Sequence, residues 1–161
     1  MTAKNVAAAL GIVLSLVVPA FAQTEAPDPG RTVFRVTARC MFCHGWDGSG
    51  DASEYGGNAP SLRATQLSRD EIETTVRCGR PGTGMPAHQK DAYTDGHCYG
   101  LKEADLDKST HPLEPLQYLS DRDIAAVANY VATNLKGKGP ATYPECVAFF
   151  GAPTHACDRY R

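Results

Sequence analysis

Apolar residues recur at helical spacing in several stretches of this chain, and nowhere do they alternate over a useful strand length. Val33, Phe34, Val36 and Thr37 mark a first helix that runs on into residues 40–44. Ile72, Thr75 and Val76 follow a Ser68/Glu71 pair, three residues apart as in a capping box, so a helix is expected over 69–78. Gly79 and Pro81 end it. Ile124, Val127, Ala128, Val131 and Leu135 follow a second capping pair, Ser120 and Asp123, and predict a helix over 121–136 with Gly137 just past its end. Between these lie two long glycine- and proline-bearing stretches, 45–61 and 79–118, expected to be loops. Lys102 to Asp107 could add a helical turn or two. The class expected is all-α and loop-rich, with no internal repeat.

The first residues follow another pattern. Val6 to Val18 is almost wholly apolar, with Lys4 before it and Ala20-Phe21-Ala22 after it. A positive start, a short apolar run and a small-x-small site read as a signal peptide over 1–22, leaving Gln23 first. An uncleaved anchor is the competing reading, but the run is shorter than the ~20 residues a spanning helix needs. Residues 23–30 read as a flexible polar leader, 31–137 as the main domain and 138–161 as a C-terminal extension. No membrane span is expected after cleavage. Export places the chain in the periplasm, where disulfides persist. The formal net charge is −2, and becomes −3 once Lys4 leaves with the leader. A mildly acidic protein is not expected to bind nucleic acid.

Candidate chemistry concentrates in Cys40-Met41-Phe42-Cys43-His44. Two cysteines three positions apart, followed at once by histidine, form the attachment motif for c-type haem. One helical turn holds both thiols on nearly the same face, so they can add to the two vinyl groups of one porphyrin. His44 then offers its imidazole to the iron. A zinc or redox Cys-x-x-Cys pair is the alternative, and it does not account for the adjacent histidine. For the second axial position the candidate is Met85, in Gly82-Thr83-Gly84-Met85-Pro86; Met41 is trapped inside the attachment motif. The glycines allow close approach of the backbone and Pro86 stiffens the loop. His88 and His97 are the alternatives. A His/Met pair favours electron transfer over oxygen chemistry. Glu103, Asp105 and Asp107 lack the glycine and terminal glutamate of a calcium loop and read as a solvated charge run.

With these motifs in hand, the chain resembles the class I cytochromes c from about Arg31 to Leu135. The resemblance rests on Cys40–His44 with Gly45-Trp46-Asp47-Gly48-Ser49-Gly50, on Ala59-Pro60-Ser61-Leu62, on Gly84-Met85-Pro86, and on the last helix with Tyr130. It implies three to five short helices around one covalently attached haem. It implies that the Pro60 carbonyl accepts a hydrogen bond from His44, that Leu62 packs on the haem face, and that Phe34 meets Tyr130 where the first and last helices cross. Trp46, Tyr55 and Arg63 are possible propionate contacts, though residues of these types are more often packed or solvated.

The chain departs from small members of that family in the long stretch after Met85 and in the tail. Cys78, Cys98, Cys146 and Cys157 lie around these segments, and four cysteines allow three pairings. Cys78–Cys98 with Cys146–Cys157 is the favoured one. The first would tie the methionine loop at both ends, and the second would staple the tail. Val147, Phe149 and Phe150 give the tail an apolar face that must be covered by the body or by a partner. The expected function is a periplasmic single-electron carrier and not an enzyme. It would cycle iron between Fe(II) and Fe(III), taking electrons from a dehydrogenase and passing them to a terminal oxidase or another cytochrome. A dedicated haem subunit of a dehydrogenase is the second reading, and a haem sensor with a labile methionine the third.

Overall fold

A computed structural model of the chain describes residues 28–161. The signal segment 1–22 and all of the 23–30 leader except its last three residues lie outside the described residues. Helix α1 (Pro29–Thr32) begins two residues ahead of Arg31, where the main domain was expected to start. The Asp28 carboxylate accepts from the Gly30 N–H at 2.8 Å, and Pro29 at the first position has no N–H to lose. The helix continues into a widened turn, Val33–Thr37, closed by an i→i+5 bond from Ala38 N–H to the Val33 carbonyl. This turn buries Val33 and Phe34 but leaves Val36 60% exposed, so Val36 is not part of the stripe that its spacing suggested.

Helix α2 (Met41–His44) carries the Cys-x-x-Cys-His motif. The loop after it holds a two-residue antiparallel hairpin, β1 (Asp51–Ala52) with β2 (Gly57–Asn58), in a region expected to have no strand. Two residues per strand are too few to show alternation, which is why the pattern was silent. Helix α3 (Arg69–Cys78) has the full capping box, with Ser68 and Glu71 exchanging both bonds. Helix α4 (Asp121–Tyr130) is capped by Ser120 and runs on through a widened turn, Val131–Leu135. Helix α5 (Tyr143–Phe150) was not foreseen. Its signal was in the chain, because Thr142 and Glu145 form a full capping box with Pro144 in the first turn.

Helix α4 packs against both α1 and α3, and this junction forms the core. Phe34, Ile124, Val127 and Ala128 are almost completely buried there, and the Phe34 and Tyr130 rings meet at 5.6 Å between centroids. Gly30 makes the α1–α4 approach possible. A Cβ at this position would lie 2.2 Å from the Ala126 carbonyl oxygen and 2.6 Å from the Tyr130 Cβ. Alanine would raise helix propensity by up to about 1 kcal/mol, but backbone cannot yield as a flexible side chain can. Gly30→Ala should therefore lose about 2 kcal/mol net, read as a fall in Tm of several degrees.

Candidate haem site

His44 ends α2, and its Nδ1 lies 3.2 Å from the Pro60 carbonyl oxygen. A carbonyl only accepts, so Nδ1 carries the proton and Nε2 keeps a lone pair for a metal. Burial pushes the imidazole pKa down; the Pro60 carbonyl opposes this, and the Arg80 guanidinium adds to the fall. The ring is thus held neutral, which is the state that ligates iron. Arg80 belongs to the methionine loop, so that loop lies within electrostatic reach of His44.

Cys40 and Cys43 are free thiols, while the other four cysteines are bridged, Cys78 to Cys98 and Cys146 to Cys157. Cys40 is half-buried, and burial raises its thiol to about 12; Cys43 is exposed. Cys40, Leu62, Leu67 and Met85 all pack against the main core while remaining partly exposed. Two unpaired thiols thus stand one turn apart beside a neutral, oriented imidazole, and the Met85 thioether packs against the same core as Cys40 and Leu62. This donor set fits a haem: the imidazole and thioether suit iron and the thiols suit the vinyl groups. The Pro60 carbonyl faces His44, and Leu62 packs against the main core.

The methionine loop is a closed turn. Arg80 N–H donates to the Met85 carbonyl at 3.1 Å, and Met85 N–H donates to Thr83 Oγ1 at 3.2 Å. Gly79, at φ +65°, lets the end of α3 pass under the loop; a Cβ there would be 2.7 Å from the Met85 carbonyl oxygen and the Ala87 nitrogen. The Cys78–Cys98 bridge anchors the following segment at the same point. The Tyr93 hydroxyl donates to the Cys78 carbonyl at 2.6 Å and the Tyr99 hydroxyl to the Gly79 carbonyl at 2.8 Å. His88 is buried, with Nδ1 3.2 Å from the Gln117 carbonyl oxygen. His97 sits beside the Cys78–Cys98 sulfurs and is bonded to Asp95.

Arg63 is buried and donates to the carbonyls of Gly139 at 2.6 Å and Asp47 at 3.0 Å, and to both oxygens of Glu145. Trp46 is buried against Phe149, Phe150 and Tyr160 of the tail, and its Nε1 has no partner among the described residues. Tyr55 is exposed and stacks on Phe42. The apolar face of the tail is thus covered by the body. Arg31 and Arg35 donate to the Ala148 and Phe149 carbonyls, which end α5 without intrahelical partners. A cavity of about 620 Å³ lies under this tail, lined by Trp46, Arg63, Tyr130 and Glu145 among others, and neither His44 nor Met85 lines it.

The family described as cytochrome c oxidase, cbb3-type, subunit III matches residues 25–101, a span that includes both the attachment motif and Met85. No curated protein matches the chain. Among solved structures, oxidised cytochrome c6A from Arabidopsis thaliana aligns with 81% of this chain and 99% of its own at 16% identity, with a TM-score of 0.35. The attachment motif, the methionine loop, the helical core and the family match together support a class I c-type cytochrome with a disulfide-bearing loop.

Proposed function

We propose that the protein is a periplasmic single-electron carrier holding one covalent haem c, with Cys40 and Cys43 as thioether links and His44 and Met85 as axial ligands. When bound, the haem supplies a one-electron Fe(III)/Fe(II) couple. The chain keeps that couple simple. Pro60 fixes the His44 ring plane, and the closed turn around Met85 limits ligand exchange. The observation that carries this reading is the redox state of the six cysteines: four are bridged, and the two that lead into His44 are free. The bridges also support an oxidising compartment. Among the described residues no helix is long and apolar enough to cross a membrane. In this reading 31–137 is the haem-carrying body, the tail 138–161 braces it, and 1–22 is the export signal. The carrier takes electrons from a periplasmic dehydrogenase and passes them toward a terminal oxidase.

Absorption spectra of the purified protein, oxidised, then reduced, then exposed to carbon monoxide, test the ligand set. A c-type reduced spectrum, a far-red methionine–iron(III) band and indifference to carbon monoxide are expected. A missing far-red band with a fast carbon monoxide shift would overturn His44/Met85 ligation. The second reading, a haem subunit of a larger complex, draws on the oxidase-subunit description of the matching family and on the exposed Leu113 and Leu116. Stable co-purification with a partner would favour it, and a monomer at micromolar concentration would count against it.

The Cys78–Cys98 bridge carries a prediction of its own. Its loop of about 20 residues is worth about 3 kcal/mol in the chain-entropy model. Selective reduction of this bridge should loosen the Met85 turn and speed carbon monoxide binding to the ferrous protein. Stopped-flow mixing before and after reduction checks it, and unchanged rates would separate the bridge from the ligand.

A further inference from the structure

The segment after Met85 is tied to the methionine loop along its length. Gly82 N–H donates to the Thr110 carbonyl, Ala87 N–H to the Leu113 carbonyl, and Leu119 N–H to the His88 carbonyl. Residues 110–119 therefore lie directly beside the loop that presents Met85, and any partner touching one touches the neighbourhood of the other. This strip is unusually apolar for an exposed surface. Leu113 is 58% exposed, Leu116 80% and Tyr118 42%. Nothing among the described residues covers them, in contrast to the tail aromatics, which the body buries.

A shallow pocket of about 170 Å³ opens in this strip, with Ala87, Tyr93, Leu113 and Tyr118 among its lining residues. Its shape is fixed, because Tyr93 is buried and its hydroxyl is held by the Cys78 carbonyl. Asp91 and Glu114 stand on the rim, both exposed, and neither carboxylate has a partner among the described residues. Glu103 is also on the rim and is paired with His111. Lys90 is the one ammonium there. Across residues 86–119 as a whole, six carboxylates face three lysines. Aromatic walls with unpaired carboxylates at the mouth suit a guanidinium or ammonium whose stem lies on apolar surface.

We infer that this pocket beside the methionine loop receives an arginine or lysine side chain from a redox partner whose contact surface is otherwise apolar. The inference rests on the carrier reading and assigns the 86–119 segment as its docking element. Leu113, Leu116 and Tyr118 supply the desolvated centre of the contact, and Asp91 and Glu114 select the charge of the partner. An acidic partner is repelled by the same rim.

A cationic aromatic oxidant, tris(phenanthroline)cobalt(III), is the probe. In the kinetic arm one electron passes from Fe(II) to Co(III), giving Fe(III) and Co(II), with no proton or bond exchanged. In the binding arm the ferric protein is titrated and amide shifts are followed by NMR. Shifts should concentrate at residues 87–93 and 111–118, and Glu114→Lys should weaken probe binding about tenfold at low salt. Leu116→Ser should weaken it without changing its salt dependence. Oxidation by the probe should slow in both variants, while oxidation by the anion ferricyanide should quicken in Glu114→Lys. Shifts centred on Phe42 and Tyr55 instead, or binding unchanged in both variants, would overturn the docking assignment. A protein without a reversible one-electron couple would overturn the carrier reading, and the shift map would still report on the pocket.

Discussion

Met85→Ala is expected to turn a reduced protein that ignores carbon monoxide into one that binds it fully within the mixing time. The far-red band should vanish, and the potential should fall by on the order of 0.2 V, within the ~0.8 V span that axial ligands cover. The argument rests on what else could reach the iron. His88 is buried with its Nδ1 turned to the Gln117 carbonyl, and Leu119 N–H and Val76 hold its backbone on both sides. His97 is engaged by Asp95, next to the Cys78–Cys98 bridge. Met41 is buried within α2. None of these can replace the thioether without dismantling a bonded turn. The turn itself survives the substitution, because its bonds run through the Arg80 N–H, the residue 85 backbone and the Thr83 hydroxyl. The variant should therefore fold and keep its c-type spectrum, so that loss of the ligand is read separately from loss of structure. A retained far-red band in Met85→Ala would assign the sixth ligand elsewhere.

The parts of this protein that were legible in its sequence are those written in local code. Helices α3 and α4 announce themselves through an apolar stripe of period 3.6 and a serine three residues ahead of an acid, and both caps form. The Cys40–His44 motif and the methionine loop are equally local, since their chemistry depends on spacings of a few residues. Helix α5 had the same kind of code in Thr142, Pro144 and Glu145, but its short, strongly apolar sequence Val147 to Phe150 shows little amphipathic stripe. The hairpin at 51–58 is too short to carry a period. What could not be read were the long-range choices. Trp46 and Arg63 sit near the haem motif in sequence, and both pack against a tail some 80 to 110 residues further on. No spacing rule encodes that meeting, because it depends on where Leu135 and Gly137 deliver the chain. Val36 shows the converse, where a widened turn rotates one residue of a regular-looking stripe into solvent.

Arg63 joins body to tail through several bonds at once, and Arg63→Ala should cost about 3 kcal/mol of stability, read as a Tm lower by roughly 10 °C. The side chain is only 8% exposed and serves three acceptors at once: the Gly139 carbonyl, the Asp47 carbonyl and the Glu145 carboxylate. Removing it leaves two carbonyls without this donor and the carboxylate without its cation. The Glu145 side chain keeps 36% exposure, so water recovers part of that loss, and the effect should stay below that of a fully buried broken pair. Arg63→Lys should restore less than half, because one ammonium cannot span three acceptors held in a fork. The pH dependence has a definite sign. Burial pushes the Glu145 carboxyl up, but the Thr142 N–H and hydroxyl and the Arg63 guanidinium outweigh it and hold it below its ordinary range. A depressed folded pKa contributes stability above the unfolded value and loses it as pH falls through the folded one. The gap between wild type and Arg63→Ala should therefore be widest near neutral pH and narrow below the ordinary carboxylate range. Proteolysis supplies the second readout. Cleavage confined to residues 138–161, with the c-type spectrum intact, is expected at neutral pH; a gap unchanged on acidification would show that Arg63 works through its carbonyl acceptors alone.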